Sequence, residues 1–207
     1  MHREVLTKRA DELYTSLGQF SGFYLAGGTA LALQIGHRIS VDFDLFTDNE
    51  IKRSLLPSVG EIFANTSIAL LVNTRDELTV VVDGVKVTFL NYPFPPLDRL
   101  SIKEGVWLLS VKEIAATKAY TIGRRGAFKD YVDLYFVLRE QHATLKEIID
   151  MAERKYGPAF NSRLFLEQIV FLDDIEDTEI EFIKPAVTRA QLLEFFEASV
   201  KAYAAQF

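Results

Sequence analysis

Residues 24 to 46 read YLAGGTALALQIGHRISVDFDLF and combine a glycine pair with two closely spaced aspartates. The run YLAG predicts a short buried strand, and the residues after the glycines predict a helix with Thr29 as its N-terminal cap. The segment SVDFDLF alternates, which predicts a strand with Asp42 and Asp44 on one face and Val41 on the other. Both carboxylates should therefore point the same way, about fourteen residues after the glycines.

This pattern of residues is typical of a phosphate and metal site. Two carboxylates two residues apart on a strand can converge on one or two Mg²⁺ ions. Glycines between a strand and a helix let the backbone approach a phosphate, and the helix N-terminus offers free N–H groups to the anion. Either motif alone also fits a simple turn or solvated aspartates. Their combination favours a site in which Gly27 and Gly28 hold phosphates while Asp42 and Asp44 hold metal.

The composition restricts the class of protein. The 207 residues include no cysteine, which excludes disulfides, thiolate zinc sites and a cysteine nucleophile. The first residues, MHREVLTKRADELY, carry charges where a secretion signal needs an apolar core, and no run has the roughly eighteen apolar residues of a membrane span. We therefore expect a cytoplasmic protein without a membrane partner. The net charge of -6 argues against broad nonspecific binding of nucleic acid.

The first half of the chain predicts a mixed sheet with flanking helices. Apolar residues at helical spacing predict an N-terminal helix over residues 3–17 and a second over residues 50–64, interrupted at Pro57. Three apolar runs then predict strands, and Asp83 and Gly84 favour a two-residue hairpin between the last two. These runs are SIALLVN (67–73), LTVVV (78–82) and VKVTFL (85–90).

The proline cluster NYPFPPL interrupts this pattern, since prolines cannot donate to a strand ladder or extend a helix. We therefore expect an N-terminal α/β domain over residues 1–97 and a helical domain over residues 98–207, giving an α+β fold. The acidic segment at 173–181 should be a solvated loop before the last helix. Three predicted capping boxes support the helical part. They are Ser110 with Glu113, Thr144 with Glu147 and Thr188 with Gln191.

Together, these motifs resemble a known superfamily. A glycine pair followed by Asp-x-Asp is similar to the signature of the nucleotidyltransferases related to DNA polymerase beta. The longer stretch AGGTALALQIGHRISVDFDLF resembles the narrower AbiEii/AbiGii toxin family, and Arg38 and Ser40 match that family's Arg-x-Ser-x-Asp pattern. The later segment SVKEIAATKAYTIGRRGAFKDYVDLYFVL resembles the same family's second motif, a lysine on one helix and Lys-Asp-x-x-Asp-Leu at the start of the next.

The resemblance implies roles for the first motif. Gly27, Gly28 and Thr29 would contact the phosphates of a nucleoside triphosphate. Asp42 and Asp44 would bind Mg²⁺ (or Mn²⁺).

The resemblance also implies roles for residues outside the glycine and aspartate pairs. Arg38 and Ser40 would belong to the same nucleotide-binding segment. Lys118 would reach the triphosphate, and Asp130 would be the acidic residue of the later motif. Alternatively, Asp130 and Asp133, three residues apart on a helix, pair with Lys118 in a purely structural ion cluster.

The implied activity is metal-dependent transfer of a nucleoside monophosphate from an NTP to a hydroxyl of RNA (tRNA) or protein. The implied setting is the toxin of a bacterial toxin–antitoxin or phage-abortive-infection system, with an antitoxin encoded separately. Arg124, Arg125 and Lys129 form a local basic patch that would hold RNA phosphates or belong to an ordinary helix–helix turn. His37 is expected to be an exposed loop residue without a catalytic role.

One departure from the superfamily pattern leaves alternatives open. Many members carry a third carboxylate on a later strand, where it acts as a base, but the matching stretch here offers Lys86 and Thr88. Either the two aspartates suffice, with Asp130 as base, or the chain is a catalytically degenerate nucleotide-binding protein of the same fold. A phosphohydrolase with Asp42 as nucleophile would explain the aspartates but not the glycine pair.

Overall fold

The computed structural model describes residues 1–205, apart from the side chain of Arg125. The chain divides into two compact units, Met1–Ser110 and Val111–Phe207. The proline cluster at 91–97 lies inside the first unit, because two further short strands follow it there. No helix in the described part of the chain is long and apolar enough to cross a membrane.

The first unit is built around a seven-stranded sheet, in the order β3-β4-β5-β2-β1-β7-β6. Strand β2 runs parallel to β5, and β1 runs parallel to β7, while the other neighbours are antiparallel. The predicted mixed sheet with flanking helices is confirmed. The helices are α1 (Lys8–Tyr14), α2 (Gly27–Ile35) and α3 (Leu55–Ile62); the strands are β1 (Tyr24–Ala26), β2 (Phe43–Thr47), β3 (Ile68–Asn73), β4 (Glu77–Val82), β5 (Val85–Asn91), β6 (Ser101–Lys103) and β7 (Val106–Leu108).

The alternation predicted for β2 is present from Phe43 onward. Phe43 and Leu45 are fully or almost fully buried, whereas Asp44 is half-buried on the opposite face. Val41 was expected on the buried face, but it precedes the strand and its side chain is 48% exposed. The period-two burial pattern therefore holds within β2, Phe43–Thr47, and does not extend back to Val41.

Local chemistry explains the hairpin, and two predictions about helices are corrected: the length of the N-terminal helix and the interruption at Pro57. Asp83 and Gly84 have φ angles of 46° and 87°, the left-handed pair that a tight hairpin between β4 and β5 requires. The predicted N-terminal helix is shorter than residues 3–17, because 3₁₀ turns flank α1 on both sides. Pro57 does not interrupt α3, since it lies in the first turn, where no helical N–H is needed.

The second unit is helical, as predicted. Two of the three predicted capping boxes are confirmed, at Thr144 with Glu147 and at Thr188 with Gln191. The segment at 173–181 has no regular structure, but Arg189 of the last helix donates a 2.6 Å hydrogen bond to the carbonyl of Ile175 within it. The helices are α4 (Val111–Arg125), α5 (Phe128–Arg139), α6 (Leu145–Tyr156), α7 (Ser162–Ile169) and α8 (Arg189–Ala204).

Candidate active site

The glycine turn joins β1 directly to α2. Gly27 has a φ of 65°, which favours glycine, and Ala26 is the N-cap of the helix. A β-carbon on Gly27 would lie 3.3 Å from both Cβ and Cγ of Asp44 and would overlap its Oδ2. Glycine is therefore required here both by the backbone angle and by the carboxylate beside it. The first-turn N–H groups of α2 have no partner within the helix, which suits an anion.

Asp44 lies in the middle of the sheet. Its strand neighbours are Ala26 on β1 and Thr88 on β5. Because paired residues on adjacent strands share a face, the side chain of Thr88 stands next to that of Asp44. Thr88 thus occupies the position beside Asp44 on the later strand, where the superfamily resemblance led us to look for a third acid.

Asp42 immediately precedes β2 and lies on the same face as Asp44. Its Oδ2 is 3.2 Å from Nζ of Lys86, which shares a face with Thr88 through the two-residue period of β5. The side chains of Asp42 and Lys86 are 36% and 45% exposed. An ion pair this exposed contributes about 0–1 kcal/mol, so Lys86 is easily displaced from Asp42.

The donor set fits a divalent cation. Asp42 and Asp44 offer carboxylate oxygens on one face, and both remain partly open to solvent. Hard cations such as Mg²⁺ and Mn²⁺ favour this type of ligand and keep several positions for water and phosphate. Among the residues that the structure describes, no group of three or more Asp, Glu, His or Cys side chains is arranged to hold a metal.

Thr29 was expected to cap α2, and this expectation is wrong. The helix starts at Gly27, two residues before Thr29. The Thr29 hydroxyl lies 2.7 Å from the Ser40 hydroxyl and also contacts the backbone carbonyl of Asp42. Thr29 and Ser40 are 2% and 8% exposed. The two hydroxyls therefore tie the first turn of α2 to the segment that carries Asp42.

Residues between α2 and β2 are more buried than the sequence suggests. His37 was expected on an exposed loop, but it is fully buried. Arg38 is only 6% exposed, and its guanidinium donates a 3.0 Å hydrogen bond to the carbonyl of Ile39. A single histidine or arginine in a polar segment carries no local signal of its burial, which explains the error.

The second unit brings Lys118 together with Asp130 and Asp133. Nζ of Lys118 is 2.6 Å from Oδ1 of Asp130 and 2.8 Å from Oδ2 of Asp133, and all three side chains are at most 10% exposed. Burial alone lowers the pKa of Lys118, but the carboxylates of Asp133 and Asp130 outweigh it and leave the pKa raised. Asp130 also accepts a 3.2 Å hydrogen bond from the backbone N–H of Ala127, and so caps α5.

A second buried ion pair was missed by the sequence analysis. Nζ of Lys155 lies 2.5 Å from Oε1 of Glu113, and neither side chain is exposed. Glu113 was interpreted only as part of a capping box. The pair joins α4 to α6 across 42 residues of sequence, and no spacing rule connects residues so far apart.

The basic patch is only partly free to bind an anion. The Arg124 guanidinium lies 3.8 Å from the ring centroid of Tyr120, and it donates a 3.0 Å hydrogen bond to the carbonyl of Ala159. Lys129 is exposed. The side chain of Arg125 lies outside the described residues.

The fold is similar to that of solved nucleotidyltransferase structures. The structure is similar to a crystal structure of a proposed nucleotidyltransferase from H. pylori, with a TM-score of 0.59 and 17% identity over 97% of this chain and 99% of that chain. It is also similar to MenT4, a nucleotidyltransferase toxin from Mycobacterium tuberculosis H37Rv, with a TM-score of 0.58 and 15% identity over 93% of this chain and 82% of that chain. At these identities the likeness establishes the fold.

Sequence comparison narrows the class to one family. The chain belongs to the AbiEii family, because the family model described as nucleotidyl transferase AbiEii toxin, type IV TA system, matches residues 13–205. It is also similar to the protein aq_aa25 of Aquifex aeolicus (strain VF5), with 33% identity over 198 residues, 95% of each chain. The resemblance drawn from the two motifs is confirmed, and the protein is a nucleotidyltransferase by family.

Proposed function

We propose that this protein transfers a nucleoside monophosphate from an NTP to a hydroxyl of an RNA (tRNA) or protein acceptor and releases pyrophosphate. The observation that carries the proposal is the contact between Gly27 and Asp44. It puts a helix N-terminus, which attracts phosphate, beside a carboxylate that suits a cation. Catalysis in such a site comes mainly from positioning and charge neutralisation.

Asp42 and Asp44 are the proposed holders of Mg²⁺ (or Mn²⁺). The cation would neutralise phosphate charge and activate the attacking hydroxyl. Lys86, which pairs with Asp42 at 3.2 Å, would move aside or turn toward a phosphate when the nucleotide binds. Because the ion pair is weak and exposed, breaking it costs little free energy.

The phosphates would lie against the first turn of α2. The backbone N–H groups of Gly27 and Gly28 are the proposed donors. Thr29 and Ser40 would act mainly by holding that turn to the Asp42 segment, since each hydroxyl is already engaged with the other at 2.7 Å. Arg38 supports the same segment through its hydrogen bond to the Ile39 carbonyl.

Lys118 and Asp130 keep the roles that the family resemblance implies, as proposals. Lys118 would bind the triphosphate, and its raised pKa keeps it charged for that purpose. Its two carboxylate partners carry one more negative charge than it neutralises. Lys118 would therefore have to exchange at least one of them for phosphate, or remain a structural element of the helical unit.

The proposed biological setting is a toxin with a separately encoded antitoxin, and the match to a type IV toxin–antitoxin family supports it. The net charge of -6 confines any RNA contact to a small basic area. Lys129 is an exposed cation available for such a contact.

A second candidate is a catalytically degenerate nucleotide-binding protein. The position of Thr88 favours it, because a hydroxyl rather than a carboxylate stands beside Asp44. Such a protein would bind NTP without releasing pyrophosphate.

The test is incubation of the protein with each α-labelled NTP, Mg²⁺ and total tRNA, scoring label on RNA and on protein. Asp44→Asn should abolish the transfer. Asp48→Asn is the matched control, because Asp48 follows the same strand but is exposed. Transfer that survives in Asp44→Asn would overturn the proposal. NTP binding without transfer in the wild type would establish the degenerate candidate.

A further inference from the structure

Lys86 places a positive charge beside Asp42, one of the two proposed metal ligands. Its Nζ is 3.2 Å from Oδ2 of Asp42. An ionised carboxylate accepts through both of its oxygens, so Asp42 can meet the ammonium through Oδ2 and share a metal ion with Asp44 through Oδ1. One carboxylate can therefore serve two cations at once, of which the first belongs to the protein itself.

The register of the sheet fixes this pairing. Val87 of β5 pairs with Phe43 of β2. Lys86 and Asp42 immediately precede these two residues, so their side chains share the face that carries Asp44. Lys86 also pairs with Val81 of β4 on its other side. The backbone of Lys86 is thus held between two strands, while its flexible four-carbon side chain can turn within the site.

The carboxylates beside Lys86 are few for two divalent cations. Two metal ions at the spacing of about 3.5–4 Å found in two-metal sites repel one another and need anionic ligands between them. Thr88, rather than a third carboxylate, stands beside Asp44. Two carboxylates and one ammonium carry a net charge of -1, so one divalent cation brings these three side chains to +1 and a second would bring them to +3. The charges favour a single divalent cation.

We propose that Lys86 takes the place of a second metal ion, so that the site uses one divalent cation and the Lys86 ammonium. This inference rests on the nucleotidyl transfer proposed above and names a further residue for it. When the NTP binds, the ammonium turns from Oδ2 of Asp42 to a non-bridging oxygen of the α-phosphate. Its positive charge then lies beside the phosphoryl group that reacts, where it stabilises the transition state.

Lys86 keeps its proton during the transfer. The acceptor oxygen forms a bond to the α-phosphorus, and the bond from that phosphorus to its bridging oxygen breaks, so pyrophosphate leaves with the electron pair. The proton of the acceptor hydroxyl passes to water, which reaches the site because the side chains of Asp42 and Lys86 are 36% and 45% exposed. Such transfers depend mainly on positioning and charge neutralisation, and Lys86 supplies the latter without a carboxylate on β5.

The number of bound metal ions tests the proposal without turnover. The protein is dialysed to equilibrium against Mn²⁺ and a saturating α,β-methylene analogue of ATP, CTP, GTP or UTP, and the Mn²⁺ held in excess by the protein is measured. We expect one Mn²⁺ for each protein–nucleotide complex. Lys86→Glu replaces the ammonium by a third carboxylate and should hold two. Two ions in the wild type, or one in Lys86→Glu, would overturn the proposal.

Kinetics separate this role from simple ion pairing with Asp42. Lys86→Met should lower single-turnover transfer about 10²-fold with little change in the KM for NTP, the scale seen when one donor to a transition-state oxygen is removed. Lys86→Arg keeps a cation and should recover part of the rate. Lys103→Met, at an exposed residue of β6, is the control.

Each failure has a distinct meaning. Lys86→Met should unfold in urea like the wild type, because an exposed ion pair adds little stability. A wild-type transfer rate in Lys86→Met would overturn the role of Lys86. Absence of transfer by the wild-type protein would instead overturn the proposed function, and the Mn²⁺ count would still decide whether Lys86 excludes a second metal ion.

Discussion

The position that a β-carbon of residue 27 would take is already occupied by the carboxylate of Asp44. The turn from β1 into α2 and the central carboxylate of β2 are therefore a single structural element. Neither can change without moving the other. This contact links the phosphate-binding half of the proposed site to its metal-binding half.

Gly27→Ala should consequently remove activity and lower stability. The left-handed φ of 65° alone costs a non-glycine residue about 1–3 kcal/mol, and the overlap with Asp44 adds displacement of the carboxylate. Gly22→Ala is the control, because Gly22 has a φ of 83° but open space around its β-carbon position. Urea unfolding and NTP transfer would be measured on both variants. Equal activity in the two would show that the Asp44 contact is unimportant.

Thr29→Val should destabilise the protein and reduce transfer. It removes the hydroxyl that meets Ser40 at 2.7 Å and the carbonyl of Asp42, leaving buried polar atoms unpaired at a cost of about 1–3 kcal/mol. Thr29→Ser keeps the hydroxyl and should stay close to the wild type in both measurements. A Thr29→Val protein as stable and active as Thr29→Ser would contradict the linking role.

Lys118→Met should destabilise the helical unit by about 3–5 kcal/mol, because it strands the buried carboxylates of Asp130 and Asp133. Adding Asp133→Asn removes one of the stranded charges and should recover part of the loss. Chemical denaturation of the two variants measures both effects. If Lys118→Met unfolds like the wild type, the cluster is not a structural one, and any loss of transfer then reports on nucleotide binding directly.

Acid should destabilise the protein partly through Glu147. Hydrogen bonds from Lys112 first, and then from Thr144, lower the pKa of Glu147 from 4.5 to about 2. A carboxyl group with a lowered folded-state pKa contributes stability above its unfolded pKa, and that contribution is lost as the pH falls from about 4.5 toward 2. Glu147→Gln should flatten the pH dependence of the free energy of unfolding in this window. Glu61→Gln, at an exposed position of α3, is the control for the loss of one surface carboxylate.

The sequence predicted those parts of the site that depend on local rules. Glycine at residue 27 signals a turn that side chains cannot adopt, and the alternation around Asp44 signals one face of a strand. Asp83 and Gly84 likewise signal the hairpin that aligns β5 with β4. Each signal spans only a few residues, so it can be recognised without knowing the fold. The same holds for the capping boxes at Thr144 and Thr188.

Pairings between distant residues could not be predicted in this way. Lys86 was named only as a residue on the strand face where a third acid was sought, and the structure shows it paired with Asp42. Glu113 looked like a capping residue, and it forms a buried pair with Lys155. The polar segment around His37 gave no sign of burial.

The sequence by itself determined the α+β class and the order of glycine turn, helix and carboxylate strand, because these follow from periodicity and local turn chemistry. Its two motif segments also carried the resemblance to the family. Only the tertiary structure decided which groups surround the carboxylates. The register between β2, β5 and β4 places Thr88 beside Asp44 and links it through Thr79 to Glu77. Register depends on the packing of whole strands against one another, and so these side-chain neighbours on adjacent strands meet only when the sheet has formed.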